Sequence, residues 1–240
     1  MENVLIKNRS NFHQVINFNP VTDKLIEFDF TGSNKELTAN EILDTQKFSL
    51  YINKQLESHQ AKFGIGGYNE NRVLYKRSSL FDQGSSGLME NEDAIRVSPR
   101  SVHLGIDIWG AVGTAVFVPV GGMVHSFAFN NNFGDYGATI ILQHQLDTVV
   151  FHTLYGHVSL VDIAQLHPGQ YISRGELIAH FGRQEENGWW PPHLHFQVIG
   201  DMNLKEGDYP GVCTVNESEK YLQNCPDPDL ILNMMQYVLA

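Results

Sequence analysis

Two histidines, His193 and His195, stand two positions apart in residues 189–198, which read Trp-Trp-Pro-Pro-His-Leu-His-Phe-Gln-Val. Successive side chains of a β-strand point to opposite faces, so a strand here places both imidazoles on one face and Leu194 and Phe196 on the other. Two imidazoles on one face can bind a metal ion or transfer protons near neutral pH. The alternative for this stretch alone is a half-buried strand with surface histidines.

A histidine and an aspartate, His103 and Asp107, flank Gly105 in residues 102–108, Val-His-Leu-Gly-Ile-Asp-Ile. In a straight strand these two side chains would lie about 13 Å apart, at roughly 3.3 Å per residue, which is too far to share a metal ion. A bulge or twist is least costly at glycine, so the pattern predicts a bend at Gly105. A helix would also bring positions four apart together, but the glycine and its β-branched neighbours disfavour it.

A further histidine, His157, lies in residues 151–159, Phe-His-Thr-Leu-Tyr-Gly-His-Val-Ser. Strand alternation predicts that Thr153, Tyr155 and His157 share one face, while His152 points to the other. Taken singly, each histidine is more often structural than a ligand. His-x-Gly-x-Asp, Tyr-Gly-His and His-x-His together form a spaced set that chance seldom supplies.

The elements that position these residues are predicted to be mostly strands. Between residues 95 and 199, short apolar or alternating runs are separated by Gly, Asn, Asp and Pro, and this texture indicates a β-rich domain. Strands are predicted at 102–108, 115–119, 122–128, 138–144, 148–155, 170–172, 177–182 and 193–199.

Upstream of this domain the chain predicts both helix and strand. Residues 12–18 and 24–30 alternate as strands around an Asn19-Pro20 turn, which suggests a hairpin. Residues 39–59 follow a capping-box sequence and predict a helix, either continuous or broken.

Irregular segments are predicted on both sides of the domain. Residues 64–67, Gly-Ile-Gly-Gly, predict a turn, and the polar residues 82–93 predict a mobile loop. After residue 200 the chain looks irregular until 226–229, Pro-Asp-Pro-Asp, which precedes a short C-terminal helix. The residues expected to dock this helix are Leu230, Met234 and Val238.

Composition limits the class of protein. The chain has 240 residues, of which 42% are hydrophobic, so it can bury a hydrophobic core large enough to fold without disulfide bonds. A net charge of -11 argues against nucleic acid or an anionic membrane as partner. Cys213 and Cys225 leave one optional disulfide and no four-cysteine zinc site. With no signal-peptide run and no stretch near 18 apolar residues, we expect a cytoplasmic protein, unless export follows a non-standard route.

Residues from about 98 to 200 resemble the lysostaphin-type zinc metalloendopeptidases, which cut peptide bonds in the bacterial cell wall. The motifs that carry this resemblance occur in the family's order and are His-Leu-Gly-Ile-Asp at 103–107, the glycine turns at 113–116 and 121–124, Ile-Leu-Gln-His at 141–144, Thr-Leu-Tyr-Gly-His-Val-Ser at 153–159, Pro-Gly-Gln at 168–170 and His-Leu-His-Phe at 193–196. The resemblance implies that His103, Asp107 and His195 bind Zn²⁺ and that His157 and His193 are catalytic.

The implied chemistry is consistent with these residue types. Three protein ligands leave zinc an open position, and zinc lowers the pKa of water from about 15.7 toward 7. Two imidazoles can stabilise the oxyanion and protonate the leaving amine. The histidines assigned to structure or surface are His125, His144, His167 and His180.

The resulting fold prediction is mainly β, an antiparallel β-sheet metallopeptidase domain with a small α+β N-terminal region and a short C-terminal helix. The predicted divisions are an N-terminal region at 1–95, a zinc metallopeptidase-like β domain at 96–205 and a C-terminal extension at 206–240. The expected partner is a peptide or peptidoglycan-fragment substrate.

One departure from the family concerns Gly188-Trp189-Trp190-Pro191-Pro192, which stands where the family carries small polar residues. We expect this run to form a rigid wall of the groove that restricts substrates to short or slender chains, with the prolines holding the backbone extended. The alternative is that both tryptophans are buried anchors. With this bulky run, the domain resembles peptidase-like modules of multidomain intracellular proteins. This resemblance implies that the protein acts together with partner enzyme domains.

Three functions are consistent with the sequence. The first is a zinc-dependent endopeptidase acting on cell-wall-type or other short peptides. The second is a non-catalytic peptide-binding module that keeps the groove without turnover. The third is an intracellular zinc hydrolase of a small amide metabolite. The presence of all five site residues favours an enzyme.

Overall fold

The computed structural model describes residues 1–82 and 98–238. The predicted mobile loop at 82–93 therefore lies, apart from its first residue, outside the described residues. The predicted boundary between residues 95 and 96 lies outside them as well. Over the described part of the chain, no helix combines the length and the apolar character needed to cross a membrane.

The fold is built on an eight-stranded sheet in the order β1-β2-β4-β11-β8-β7-β6-β9, in which every adjacent pair is antiparallel except β1 and β2. Two further strand pairs, β5 with β10 and β3 with β12, lie beside it. The mainly β prediction is confirmed. The strands are β1 Leu25–Phe28, β2 Phe63–Gly66, β3 Val102–His103, β4 Ile106–Trp109, β5 Ala115–Phe117, β6 Gly122–Asn130, β7 Gly137–Leu146, β8 Val149–Val158, β9 Tyr171–Ile172, β10 Leu177–His180, β11 His193–Ile199 and β12 Val212–Cys213.

The predicted strands between residues 102 and 199 are all present, and the first of them is divided into β3 and β4. The N-terminal hairpin prediction is wrong. Residues 12–18 form no strand, and only Ile16 makes a bridge, to Val116. Strand β1 pairs in parallel with β2 instead. The alternating apolar residues of 12–18 are explained by burial, because Val15, Ile16 and Phe18 pack into the main core.

The turn predicted at residues 64–67 is also wrong, because Phe63–Gly66 forms strand β2, which lies between β1 and β4 in the sheet. The glycine at position 64 makes room for an aromatic ring. A Cβ atom there would lie 1.9 Å from Cε2 of Phe28. Glycine in this strand therefore makes room for a ring from the neighbouring strand β1 and does not mark a change of chain direction.

The helices lie mostly outside the sheet-forming part of the chain. The predicted helix at 39–59 is confirmed as two helices, because Asp44 interrupts it and its carboxylate accepts hydrogen bonds from the backbone N–H groups of Gln46 and Lys47. The predicted short C-terminal helix is confirmed at Asp229–Leu232, but the irregular chain predicted between residues 200 and 226 is wrong, because it contains a short strand and a helix at Ser218–Asn224. The helices are α1 Glu2–Asn8, α2 Ala39–Leu43, α3 Thr45–His59, α4 Leu160–Ile163, α5 Ser218–Asn224 and α6 Asp229–Leu232, with 3₁₀ turns at Arg9–Asn11, Leu74–Arg77, Ser79–Phe81, Val215–Glu217 and Met235–Tyr237.

Apolar layers cover both faces of the sheet. The main core holds Ile106, Ile108, Leu194 and Phe196 on one face. It extends to the C-terminal helix and the residues after it, where Leu230 of the helix and Val238 are partly buried and Met234 is buried. The opposite face carries an aromatic cluster of Phe28, Phe30, Phe48, Trp109 and Trp190, to which α3 contributes. Cys213 and Cys225 are buried free thiols.

Candidate metal and catalytic site

Three donor atoms converge on the face of the sheet that carries the aromatic cluster. His195 lies directly opposite Asp107 in the β4–β11 register. Nδ1 of His195 is 3.0 Å from Oδ1 of Asp107 and 3.0 Å from Nε2 of His103, and the third distance, from His103 Nε2 to Asp107 Oδ1, is 3.3 Å. We call these three atoms the donor triangle.

The donor triangle fits a zinc ion. Bonds of 2.0–2.2 Å in tetrahedral geometry place neighbouring donors about 3.3 Å apart, close to the distances found here. Two imidazoles and one carboxylate are a donor set that zinc accepts, and three donors leave a fourth position open. Within the described part of the chain this is the group of His, Cys, Asp and Glu side chains whose ligand atoms gather closely enough to hold a metal ion.

The predicted bend at Gly105 is confirmed and is what brings the first two donors together. The chain leaves β3 after His103 and enters β4 at Ile106, with a break of two residues between them. Gly105 lies against the donor triangle itself. A Cβ atom at this position would lie 2.5 Å from Cε1 of His195 and 2.8 Å from the carbonyl oxygen of Phe196. Only glycine allows strand β11 to approach this closely.

We expect Gly105→Ala to displace His195, to lower the free energy of unfolding by about 1–3 kcal/mol and to weaken zinc binding, because the new methyl group overlaps the ring. Denaturant unfolding of the metal-free protein and zinc competition with a chelator measure the two effects. Gly32→Ala is the matched control, since its Cβ would meet only Val73, at 3.7 Å. Wild-type zinc affinity in Gly105→Ala would contradict the close-approach explanation.

Hydrogen bonds from neighbouring groups set the tautomers of the two histidine donors. Nδ1 of His103 lies 3.0 Å from the carbonyl oxygen of Gly67, so Nδ1–H donates and Nε2 keeps its lone pair for a metal. Nε2–H of His195 donates to Oε1 of Gln197 at 3.0 Å, so the lone pair on Nδ1 is left to bind a metal. The Gln197 amide is itself oriented, because its Nε2 donates to the carbonyl of Pro210 at 3.1 Å.

The Asp107 carboxylate is held on its second oxygen by a buried arginine, Arg72, which was not predicted from the sequence. Nη1 of Arg72 donates to Oδ2 of Asp107, and Nε of Arg72 donates to Oε2 of Glu70 at 2.5 Å. Burial alone would raise the pKa of Asp107, but His103 and Arg72 hold that pKa well below its usual range. The carboxylate is therefore ionised at neutral pH and available as a ligand.

The two histidines predicted to be catalytic lie beside the donor triangle as a pair. The ring centroids of His157 and His193 are 4.1 Å apart. Nδ1–H of His157 donates to the carbonyl of Asn187 and Nδ1–H of His193 donates to that of Pro191, each at 2.8 Å. Because both Nδ1 atoms are used in this way, Nε2 is the nitrogen of each ring that is left to accept a proton.

His157 reaches the site by a route that simple alternation does not predict. Its backbone φ is +63°, and the β7–β8 register shifts between Ala138 and Ile140, so β8 carries an extra residue there. Tyr155 faces the main core, whereas His157 faces His193. The prediction that Tyr155 and His157 share a face is wrong for this reason.

Burial keeps His103, His157 and His193 neutral. Burial, and to a lesser extent the positive charge of Arg72, lowers the pKa of His103 to about 4. Burial lowers the pKa of His193 to about 4, and burial together with His193 and His195 lowers that of His157 well below its usual range. A neutral imidazole carries a free lone pair on one ring nitrogen, which metal ligation and proton uptake both require.

A pocket with a cavity volume of about 150 Å³ opens above these residues. Trp109 stacks on His193 at a centroid distance of 3.9 Å and an interplanar angle of 15°, and so fixes the plane of that ring. Tyr75 and Phe81, from the region before residue 83, close one side of the pocket, and Tyr136 closes another. These aromatic residues lie outside the recognised motifs, and for that reason they were not predicted from the sequence.

The two tryptophans before His193 have different positions. Trp190 is 3% exposed and lines the pocket, whereas Trp189 is 42% exposed and lies outside the pocket lining. Pro191 and Pro192 form a bend, so the prediction of extended backbone there is wrong. The bend directs the Pro191 carbonyl to Nδ1 of His193.

Five further histidines of the β domain lie outside the site, and one of them, His167, is exposed. His144 is buried and contacts the Thr153 hydroxyl at 2.7 Å, and His180 pairs with Asp162 at 3.2 Å. His125 lies against His152, with ring centroids 5.1 Å apart. None of these side chains lines the pocket.

Comparison with known proteins gives one family match, in which residues 101–206 match the model described as peptidase family M23. No curated protein matches the chain.

Among solved structures, a zinc-containing peptidase from Vibrio cholerae is 25% identical over 50% of this chain and 34% of its own, with a TM-score of 0.32. The chain thus spans about a third of that protein. The catalytic domain of lysostaphin from Staphylococcus simulans is 21% identical over 50% of this chain and 80% of its own, with a TM-score of 0.35. A putative M23 peptidase from Pseudomonas aeruginosa is 19% identical over 66% and 58%, also at 0.35.

Proposed function

Residues 101–206 belong to peptidase family M23, and from this premise we propose that the protein is a zinc metallopeptidase that hydrolyses peptide bonds. In this proposal His103, Asp107 and His195 hold the zinc ion, and His157 and His193 move protons. The observation that carries it is the donor triangle, whose three atoms lie 3.0 to 3.3 Å apart beside the two histidines.

A zinc ion bound at the donor triangle would supply Lewis acidity, which polarises a scissile carbonyl and acidifies water. The protein supplies the proton transfers. Nε2 of His157 or of His193 takes up the proton released from the attacking water and returns a proton to the departing amine nitrogen. The Asn187 and Pro191 carbonyls keep both rings oriented and stabilise them when they are protonated.

The pocket supports short or slender substrates. A cavity of about 150 Å³ bounded by Tyr75, Phe81, Tyr136 and Trp190 holds little more than the residues next to the scissile bond. We propose cell-wall-type or other short peptides as the substrate class. Among the alternatives, a small metabolic amide would also fit this cavity, whereas a peptide-binding module would not require the two oriented histidines.

Hydrolysis assays separate these functions. Purified protein is incubated with peptidoglycan fragments, short peptides and small amides, each with and without a chelator. We expect chelator-sensitive cleavage of short peptides. Cleavage restricted to small amides would favour the metabolic hydrolase, and binding of peptides without any cleavage would favour the binding module.

We expect Trp190 to restrict the residue next to the scissile bond. Trp190→Phe should raise the relative kcat/KM for a bulkier residue there by roughly 10-fold, because it widens the pocket while keeping an aromatic ring. Trp189→Gly is the matched control, since that side chain lies outside the pocket lining. Competition assays with paired peptides measure the preference. An equal change in both variants would mean that the tryptophans act only through stability.

A further inference from the structure

The segment of residues 67–72 lies outside the family match yet contacts two of the three donor residues. The Gly67 carbonyl accepts the Nδ1–H of His103 at 3.0 Å, and Arg72 pairs with Asp107. The backbone of the segment is joined to strand β3 as well. The Asn69 N–H donates to the His103 carbonyl at 3.0 Å, and the His103 N–H donates to the Glu70 carbonyl at 2.9 Å.

Arg72 is placed by contacts on several sides of its guanidinium group. The side chain is fully buried, and Nε donates to Glu70 while Nη1 donates to Oδ2 of Asp107. The guanidinium carbon lies 5.3 Å from the centroid of the Phe30 ring, and Nη2 lies 3.4 Å from the Gly67 oxygen. Glu70 is fixed in turn, because its Oε1 accepts the Phe30 backbone N–H at 3.0 Å.

These contacts divide the two oxygens of Asp107 between two tasks. Oδ2 is occupied by Arg72, and Oδ1 is the atom that completes the donor triangle. A carboxylate with one oxygen committed in this way can give a metal only the other oxygen. A buried arginine with rigid, planar donors is suited to bridging two carboxylates, whereas a lysine offers a single ammonium point.

We propose that Arg72 is a positioning residue that holds Asp107 as a one-oxygen zinc ligand and preforms the donor triangle before metal binds. The residues before the family match are then part of the metal centre. This inference rests on the proposed zinc site, but it does not depend on which bond is cleaved.

The first test is zinc affinity, measured by competition with a chromophoric chelator. We expect Arg72→Met to weaken zinc binding by roughly 10- to 100-fold, the range typical of residues that orient metal ligands. Arg72→Lys should recover part of this loss, because it restores the positive charge but not the planar set of N–H donors that contacts both Asp107 and Glu70. Glu70→Gln should lie between wild type and Arg72→Met, since it leaves the contact with Asp107 in place.

The second test is the visible spectrum of the cobalt(II)-substituted protein, which reports the number and geometry of the ligands independently of hydrolysis. In Arg72→Met the freed Oδ2 is expected to join the coordination sphere, so the absorption should weaken and shift relative to wild type. Arg72→Lys should give a spectrum closer to wild type. A loss of stability alone would leave the spectrum of the folded, loaded protein unchanged.

Arg77→Met is the matched control, because Arg77 is also buried and packs 4.3 Å from the centroid of the Trp190 ring but contacts no donor residue. We expect it to keep wild-type zinc affinity. If Arg72→Met fails to fold, Arg72→Lys and Glu70→Gln carry the test. Wild-type affinity together with a wild-type cobalt spectrum in the folded Arg72 variants would overturn the proposal. Zinc binding without hydrolysis in the wild type would instead remove the proposed function and leave this inference standing.

Discussion

His195→Ala is expected to abolish stoichiometric zinc binding and, with it, peptide hydrolysis. The imidazole supplies one of three donors, and its Nδ1 lies 3.0 Å from each of the other two donor atoms. With only His103 and Asp107 left, zinc affinity should fall by more than the roughly 100-fold typical of losing a supporting residue. Metal analysis after dialysis and a chelator competition measure the loss.

Asp107→Asn extends this test with a side chain of nearly the same size and shape. It takes away the negative charge that Arg72 and the metal share, so we expect weaker zinc binding in a folded protein. His144→Ala is the matched control, since His144 is a buried histidine outside the donor triangle. One zinc per chain in both His195→Ala and Asp107→Asn would show that the ligand assignment is wrong.

Much of the site geometry could be predicted from local sequence pattern. Alternation around His193 and His195 correctly places both imidazoles on one face, and the β4–β11 register sets His195 opposite Asp107. The rise per residue of a strand is nearly constant, so a straight strand would separate His103 from Asp107 and a bend at Gly105 could be expected. The shared face and the bend depend only on residues that are close together in the chain, whereas the pairing of His195 with Asp107 joins positions 88 apart and is set by the fold.

Other parts of the site depend on local irregularities and long-range contacts that the alternation of side chains along a strand does not predict. The side chain of His157 is turned into the pocket by one extra residue and a positive φ, and a single inserted residue reverses the face of every later side chain in the strand. The ion pair between Arg72 and Asp107 joins positions 35 apart, and no periodic pattern marks such a contact. Glycine at position 64 suggested a turn, although it admits the Phe28 ring inside a strand.

His157→Ala and His193→Ala are expected to retain one zinc per chain while losing roughly 10² to 10⁴ in turnover, the range typical of general acid–base catalysis. Neither imidazole belongs to the donor triangle, so the metal should remain. Each ring keeps Nε2 as its proton acceptor, because Nδ1–H is held by a backbone carbonyl. Steady-state kinetics on the zinc-loaded variants, together with metal analysis, separate the loss of proton transfer from the loss of metal.

The two variants should differ in how they affect the pocket, and this difference tests the assignment. His193 is stacked on Trp109, so its removal also frees an indole that borders the cavity. Tyr136, whose ring centroid is 5.7 Å from that of His157, stays held by its hydroxyl, which donates to the Tyr209 carbonyl at 3.1 Å. We therefore expect His193→Ala to raise KM as well as to lower kcat, and His157→Ala to act mainly on kcat. His180→Ala, which removes a partly exposed histidine paired with Asp162, is the control for loss of an imidazole. Wild-type kcat in either zinc-loaded variant would exclude that histidine from proton transfer, since alanine at its position can neither accept nor donate a proton.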